Sequence, residues 1–305
     1  MTVFDAIILG IVEGVTEYLP VSSTGHLILA ASMLGLGKEA GGANIASIKE
    51  SLDQFEIIIQ GGAILAVAGL YWKRLRTMAQ GCVGVVLPQL ATRESKIGFG
   101  LLVKLVIAFM PAAVIGLAFR KTIKAHLFFP GPVVAALLVG GVAMVLLKGW
   151  NQKKIEQHYE PGDALARLTL KGALIIGMMQ VLAMMPGTSR SLVTLLGGML
   201  VGLPPVAAAE FAFLLGLPTL GAASLYESLN VLKGGSESIH KFMDALGGPL
   251  PIIVGLVTAT ISAAISVKWL VKWLGNHTLA IFGWWRIVVA GSFAWAVYAG
   301  WIARS

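Results

Sequence analysis

Glu13 and Glu17 stand four residues apart, a step that places both carboxylates on one helix face about one turn from each other. Carboxylates that close repel. They settle by sharing a proton, by binding a cation or by meeting a basic partner. An all-oxygen pair suits a hard divalent cation, Mg2+ or Ca2+, with Glu17 and Glu13 as its ligands. A water-exposed helix face would carry the same pair with no function. Beyond Pro20 comes Ser22-Ser23-Thr24-Gly25-His26. On a helix starting at Ser22 or Ser23, the three-residue step from Ser23 to His26 turns a hydroxyl and an imidazole toward one cavity. That is a candidate nucleophile–base pair. The N-terminus of such a helix offers free N–H groups and a positive dipole, which favour phosphate, and Ser22 and Thr24 add hydroxyls there. Far along the chain, Arg190 lies in Pro186-Gly187-Thr188-Ser189-Arg190-Ser191. A guanidinium holds two phosphate oxygens with parallel hydrogen bonds, and Ser189, Ser191 and Thr194 are further donors. An ion pair from Arg190 to Glu13 or Glu17 without a ligand uses the same residues. Together these groups suit recognition and cleavage of a phosphate ester or anhydride.

What must position them is a greasy chain. Of 305 residues 57% are hydrophobic and 12% charged, with a mean hydropathy of +0.83. Soluble domains carry about 25% charged residues. Disorder, a disulfide-stapled module and an ordinary soluble enzyme are excluded by composition, and the bilayer is the expected solvent. One cysteine, Cys82, excludes an internal disulfide and a cysteine metal cluster. The net charge of +8 leaves too little polar surface for nucleic acid. The basic residues read instead as topology markers and partners of anionic membrane lipids. MTVFDAIILG lacks a basic leader and a small-residue cleavage site, so this start is expected in the mature protein. No G-x-x-x-x-G-K-[ST] or H-E-x-x-H occurs, which speaks against an ATP-driven machine or a zinc protease.

The expected fold is all-α and integral to the membrane, with about six transmembrane helices and two re-entrant helical hairpins. Candidate spans lie near residues 55–72, 101–119, 131–149, 205–226, 250–273 and 279–301, with Pro111 and Pro218 expected to kink two of them. Apolar stretches 3–35 and 168–202 are each broken by Pro followed by a Ser/Thr cluster. Such a break ends one helix and caps the next, and backbone broken at membrane depth survives only where protein or water satisfies it. Both stretches read as re-entrant hairpins. EGVTEYLPVSST (13–24) lines up with QVLAMMPGTSRS (180–191) across a one-residue gap, and three spans follow each. Residues 1–150 and 151–305 therefore read as two inverted repeats whose hairpin tips meet in the middle. Placing loops 73–100 and 148–171 and the turn 268–278 inside gathers twelve Lys and Arg against eight outside, which puts both termini outside.

The stretches E-G-V-T-E-Y-L-P-V-S-S-T-G-H (13–26) and P-G-T-S-R-S (186–191) resemble the two signature motifs of the BacA-type undecaprenyl-diphosphate phosphatases, the bacitracin-resistance family. Weaker similarity includes A-A-E-F-A-F-L-L-G-L-P (208–218) and W-R-I-V-V-A-G (285–291), in the same order over essentially the whole chain. The second motif departs at Leu192, where Gly is expected, which loosens the backbone approach after Ser191. The resemblance implies a multi-pass enzyme of the bacterial inner membrane that removes the terminal phosphate of undecaprenyl diphosphate. It thereby recycles the carrier lipid for peptidoglycan synthesis. The resemblance also implies a divalent cation and a site open toward the periplasm. It carries over Glu13, Glu17, Ser23 and His26 from the first motif, and Arg190 with Ser189, Ser191 and Thr194 from the second.

Two chemical routes follow. Ser23 attacks the terminal phosphorus with His26 handling protons, or Glu17 or His26 activates water while Ser23 only binds phosphate. The rival function is a polyprenyl-phosphate flippase or secondary transporter, which uses the same broken helices with the Glu pair as a proton relay. A homodimer stays open. Of the rest, Trp269, Trp273, Trp284, Trp285, Trp295 and Trp301 are expected in an interfacial belt, Arg286 is expected to snorkel toward headgroups, and Glu210 is expected in a structural ion pair.

Overall fold

The computed structural model describes residues 1–36, 45–127, 129–155 and 161–302. Lys38 and Arg304, counted above among the outer cations, lie outside these residues, as does part of the loop 148–171. The chain opens with α1 (Val3–Thr16) and α2 (Ser23–Met33). Thr2 starts α1 with a capping box: its hydroxyl accepts from Asp5 N–H, and the Asp5 carboxylate accepts from Thr2 N–H. There follow α3 (Ile45–Leu70), α4 (Trp72–Val86), α5 (Arg93–Leu127), α6 (Pro130–Leu146), α7 (Lys148–Ile155) and α8 (Pro161–Arg167). The second broken pair is α9 (Leu170–Val181) and α10 (Arg190–Leu200), then α11 (Pro205–Lys233), α12 (Gly235–Leu246), α13 (Pro249–Leu274) and α14 (Ala280–Tyr298). No strand occurs among the described residues.

Five helices, within α3, α5, α11, α13 and α14, are long and apolar enough to cross a membrane. Their outward faces carry exposed Leu65, Leu117, Ile265 and Val288 in mid-helix, apolar surface that lipid solvates and water does not. The protein is an all-α integral membrane protein. The sixth expected span, 131–149, is the shorter apolar helix α6, which at 17 residues is not among these five and ends where Lys148 opens α7. Helices α5 and α11 run through Pro111 and Pro218. The loop expected at 73–100 holds α4, whose Arg74 pairs with buried Glu210 of α11 at 2.8 Å. The structural pair expected of Glu210 is therefore present.

The two broken pairs are built alike. At 11 to 14 residues each, α1, α2, α9 and α10 are about 16–21 Å long, too short for a hydrocarbon core of about 30 Å. Helix α1 lies along α13, while α9 lies along α5, each in the other half of the chain. The first approach is close because α1 carries Gly10 and Gly14, where a Cβ would collide with the carbonyls of Gly255 and Ala259. Helices α6 and α14 pack against each other beside the turns of both broken pairs.

Candidate active site

Both turns end on a serine with positive φ: Ser22 (φ 75°, ψ 100°) and Ser189 (φ 71°, ψ 109°). They are the non-glycine residues of the described chain in that region. Such backbone costs about 1–3 kcal/mol per residue and clusters where function demands a geometry. The following residues, Ser23 and Arg190, begin α2 and α10. One-residue offset included, the hydroxyl of the first half thus stands where the guanidinium of the second stands.

The two helix starts meet on one carboxylate. Ser23 Oγ donates to Glu17 Oε2 at 2.7 Å, and Arg190 Nη2 donates to Glu17 Oε1 at 3.1 Å. Arg190 Nη1 donates to the Ala212 carbonyl at 2.9 Å, and its guanidinium carbon lies 5.3 Å from the Tyr18 ring centre. Gly216 makes room for it: a Cβ there would sit 2.8 Å from Arg190 Nη1. Ser191 Oγ donates to Leu19 O at 2.8 Å and so ties the second turn to the first. With that hydrogen committed, Ser189 Oγ donates to Ser191 Oγ at 3.0 Å while accepting from Leu192 N–H at 3.3 Å. Thr194 Oγ1 donates to Arg190 O at 2.8 Å within α10. Ser22 is buried and makes no side-chain cap, and Thr24 is half-buried on the first turn of α2.

His26 is placed differently from the hydroxyl–imidazole pair expected of it. Its Nδ1 lies 2.7 Å from the Ser22 carbonyl, so Nδ1 carries the hydrogen. The Trp285 indole N–H donates to Nε2 at 2.8 Å, and the rings are nearly parallel with centres 6.1 Å apart. Both imidazole nitrogens are therefore engaged, and the Ser23 hydrogen points to Glu17.

Beside this knot are buried polar atoms without partners: both carboxylate oxygens of Glu13, Tyr18 Oη, Gln180 Nε2 and Arg190 Nε. A carboxylate that is 1% exposed and hydrogen-bonded to nothing needs a cation or a proton. Among the described residues no group of three or more His, Cys, Asp and Glu side chains forms a ready metal cage. One or two carboxylates are what Mg2+ takes from a protein when phosphate oxygens and water complete its shell. Glu13, whose oxygens have no partner, fits such an ion, and Glu17, whose oxygens each accept one hydrogen bond and keep further lone pairs, stands one turn away as the second expected ligand.

Three participants carried no assignment or a different one in the sequence reading. Arg286, expected at the headgroups, is fully buried. It donates to the carbonyls of Pro20 (3.4 Å) and Gly187 (2.8 Å), one from each turn, and to Ala136 (2.8 Å) and Leu137 (3.3 Å) of α6. Its position inside an apolar span was the available signal, since intramembrane charge faces protein by default. Trp285, expected in a belt, touches His26. Gln180 occupies the place of Glu13 in the aligned stretches and is equally buried.

A profile of the family described as "Bacitracin resistance protein BacA" matches residues 6–292. The chain belongs to the BacA family. Relatives include the undecaprenyl-diphosphatase of Sorangium cellulosum, 41% identical over 96% of this chain and 85% of that protein. The undecaprenyl-diphosphatase of Ectopseudomonas mendocina is 40% identical over 98% of this chain and 94% of its own. Undecaprenyl-diphosphatase 1 of Chromobacterium violaceum is 39% identical over 98% and 99%. Both stretches that carried the BacA resemblance, 13–26 and 186–191, lie inside the matched range, and they are the two that meet at Glu17.

Proposed function

We propose that the chain is an undecaprenyl-diphosphatase, which hydrolyses undecaprenyl diphosphate to undecaprenyl phosphate and inorganic phosphate. The observation that carries the mechanism is Glu17 held between Ser23 and Arg190. Arg190, with an unpartnered Nε–H, binds the diphosphate together with the N-terminal N–H groups of α2 and α10, while Ser189, Ser191 and Thr194 spend their hydrogens within the turn and hold its shape. Ser23 Oγ attacks the terminal phosphorus, and its proton passes to Glu17, which already accepts that hydrogen bond. The bond from phosphorus to the bridging oxygen breaks, and that oxygen leaves with undecaprenyl phosphate. Water then attacks the phosphoserine, a proton returns to Ser23 Oγ, and inorganic phosphate departs. His26, held by Ser22 and Trp285 through both ring nitrogens, positions the first turn of α2. A divalent cation, Mg2+ or Ca2+, fits at Glu13 and would offset charge on the transferring phosphoryl group.

In this reading the halves 1–150 and 151–305 form an inverted repeat. The matched positive-φ serines and the reciprocal packing of α1 on α13 and α9 on α5 support it. The site opens toward the periplasm of the bacterial inner membrane, a placement supported by the excess of Lys and Arg in the loops assigned inside. The reading is independent of whether the chain works alone or as a homodimer.

The test is phosphate release from undecaprenyl diphosphate by the purified protein in detergent. Hydrolysis needs no compartments and transport needs two. Release that Arg190→Ala lowers by a factor of about a hundred or more is the expected result. A protein that releases none, yet moves polyprenyl phosphate across vesicle bilayers, is instead the flippase that the broken helices also suit.

A further inference from the structure

His26 stands at the junction of two environments. One turn back on α2, Ser23 belongs to the buried polar knot with Glu17 and Arg190. In the other direction His26 lines an apolar cavity of about 610 Å³ between α2 and α14. Trp285 walls the same end, Leu29 and Val288 line its middle, and Trp295 and Trp301 lie farther on. Ten residues of α14 separate Trp285 from Trp295, about 15 Å of helix. Beyond, Trp295 and Trp301 meet edge to face at 4.9 Å, and Ser32 Oγ donates to the Trp301 carbonyl at 3.0 Å, tying the ends of the two walls together. The groove is thus apolar, elongated and joined to the polar site through one shared side chain.

From this geometry we infer that the α2–α14 groove receives the first isoprene units of the lipid tail, with Trp285 and His26 at the point where diphosphate gives way to hydrocarbon. The inference rests on the reading of the site as one for a lipid diphosphate. A tail bonded to a diphosphate held at Ser23 and Arg190 has to leave the polar knot through an apolar passage. The groove meets that need without burying a charge, because among the described residues no ionisable group other than His26 lines it. Aromatic walls give flat apolar contact at a small cost in side-chain freedom, and the Trp285 N–H is already satisfied by His26 Nε2. Trp285 is a positioning residue here: it fixes the imidazole that borders the headgroup and forms the first wall of the tail's path.

Gly291 allows the test, because it lines the groove and a Cβ added there meets nothing within 4 Å. Gly291→Phe fills the groove without a clash at the backbone. Gly221 of α11 also has open space at its Cβ, and Gly221→Phe is the matched control. For undecaprenyl diphosphate in detergent, Gly291→Phe is expected to raise KM about tenfold with kcat little changed, the loss expected from one or two displaced methylene contacts. Gly221→Phe should leave both unchanged. An unaltered KM in Gly291→Phe, or an equal rise in Gly221→Phe, overturns the inference. A second readout is independent of turnover and of the variants. A prenyl diphosphate with a benzophenone on its tail, photolysed with the unaltered protein, should label peptides of α2 or α14. Labelling confined to other helices, or removed by an equal amount of ordinary phospholipid, overturns the inference. No phosphate release by the unaltered protein would instead count against the catalytic reading, and the labelling would still decide the groove.

Discussion

Arg190 and Glu17, 173 positions apart in sequence, form an ion pair at 3.1 Å in which both side chains are more than nine-tenths buried. Each is also bonded elsewhere, Arg190 to the Ala212 carbonyl and Glu17 to Ser23. A buried pair offsets its desolvation only when such extra bonds are present, and removing one member leaves the other charge stranded. Arg190→Ala should therefore lower kcat/KM by a factor of about a hundred or more, equivalent to about 3 kcal/mol of lost charge-assisted contact. Phosphate release from undecaprenyl diphosphate is the measurement. Full activity in Arg190→Ala would remove the guanidinium from the site.

Ser23 separates the two chemical routes. If its oxygen forms the new bond to phosphorus, Ser23→Ala loses turnover entirely, and rapid acid quench of the unaltered protein with labelled substrate traps phosphoserine in the peptide that begins α2. Glu17→Gln keeps the shape but offers a poor proton acceptor, and should cost a factor of about a hundred in kcat. Near-normal turnover in Ser23→Ala would instead assign the attack to water and leave Ser23 a phosphate ligand.

The sequence made the meeting of the two hairpin tips legible because the clues were chemical. Carboxylates, hydroxyls and a guanidinium inside apolar stretches are costly, so each had to have a partner, and Pro20 and Pro186 marked the breaks. The partners themselves were not legible. Helical spacing alone paired Ser23 with His26, but Ser22 takes a positive φ, and the turn that results brings Glu17 to the hydroxyl instead. No propensity rule assigns serine to that conformation. Arg286 was misplaced for a related reason. Tryptophans beside it suggested an interface, whereas the carbonyls it satisfies belong to turns that only the tertiary fold brings within reach. Helix α4 was lost because its basic residues fit a positive-inside loop equally well.

Glu13 gives a prediction that does not depend on activity. Both its oxygens are buried without partners, a costly state that a bound cation relieves and an amide avoids. In chelator, Glu13→Gln should melt at a temperature equal to or above that of the unaltered protein. On addition of Mg2+ or Ca2+ the unaltered protein should gain thermal stability, as any ligand specific to the folded state confers, and Glu13→Gln should gain little. Equal stabilisation of both proteins would place the ion elsewhere.

Arg286 joins both turns to α6 and α14, and it tests whether the site depends on that clasp. Its four carbonyl partners come from Pro20, Gly187, Ala136 and Leu137. A fork of fixed N–H groups spans acceptors that far apart, and an ammonium does not. A Cβ at Gly140 would lie 2.6 Å from Arg286 Nη2, so α6 is shaped around the guanidinium. Arg286→Leu leaves the turn carbonyls of Pro20 and Gly187 without this donor and unties both turns from α6, and should cost about 3 kcal/mol or more, seen as a lower melting temperature and faster proteolysis. Arg286→Lys restores the charge and one or two of the bonds. It should recover most of the lost stability while kcat stays low, because the turns carrying Ser23 and Arg190 are no longer held in one arrangement. A lysine variant that regains stability and kcat together would show that Arg286 supports only the fold.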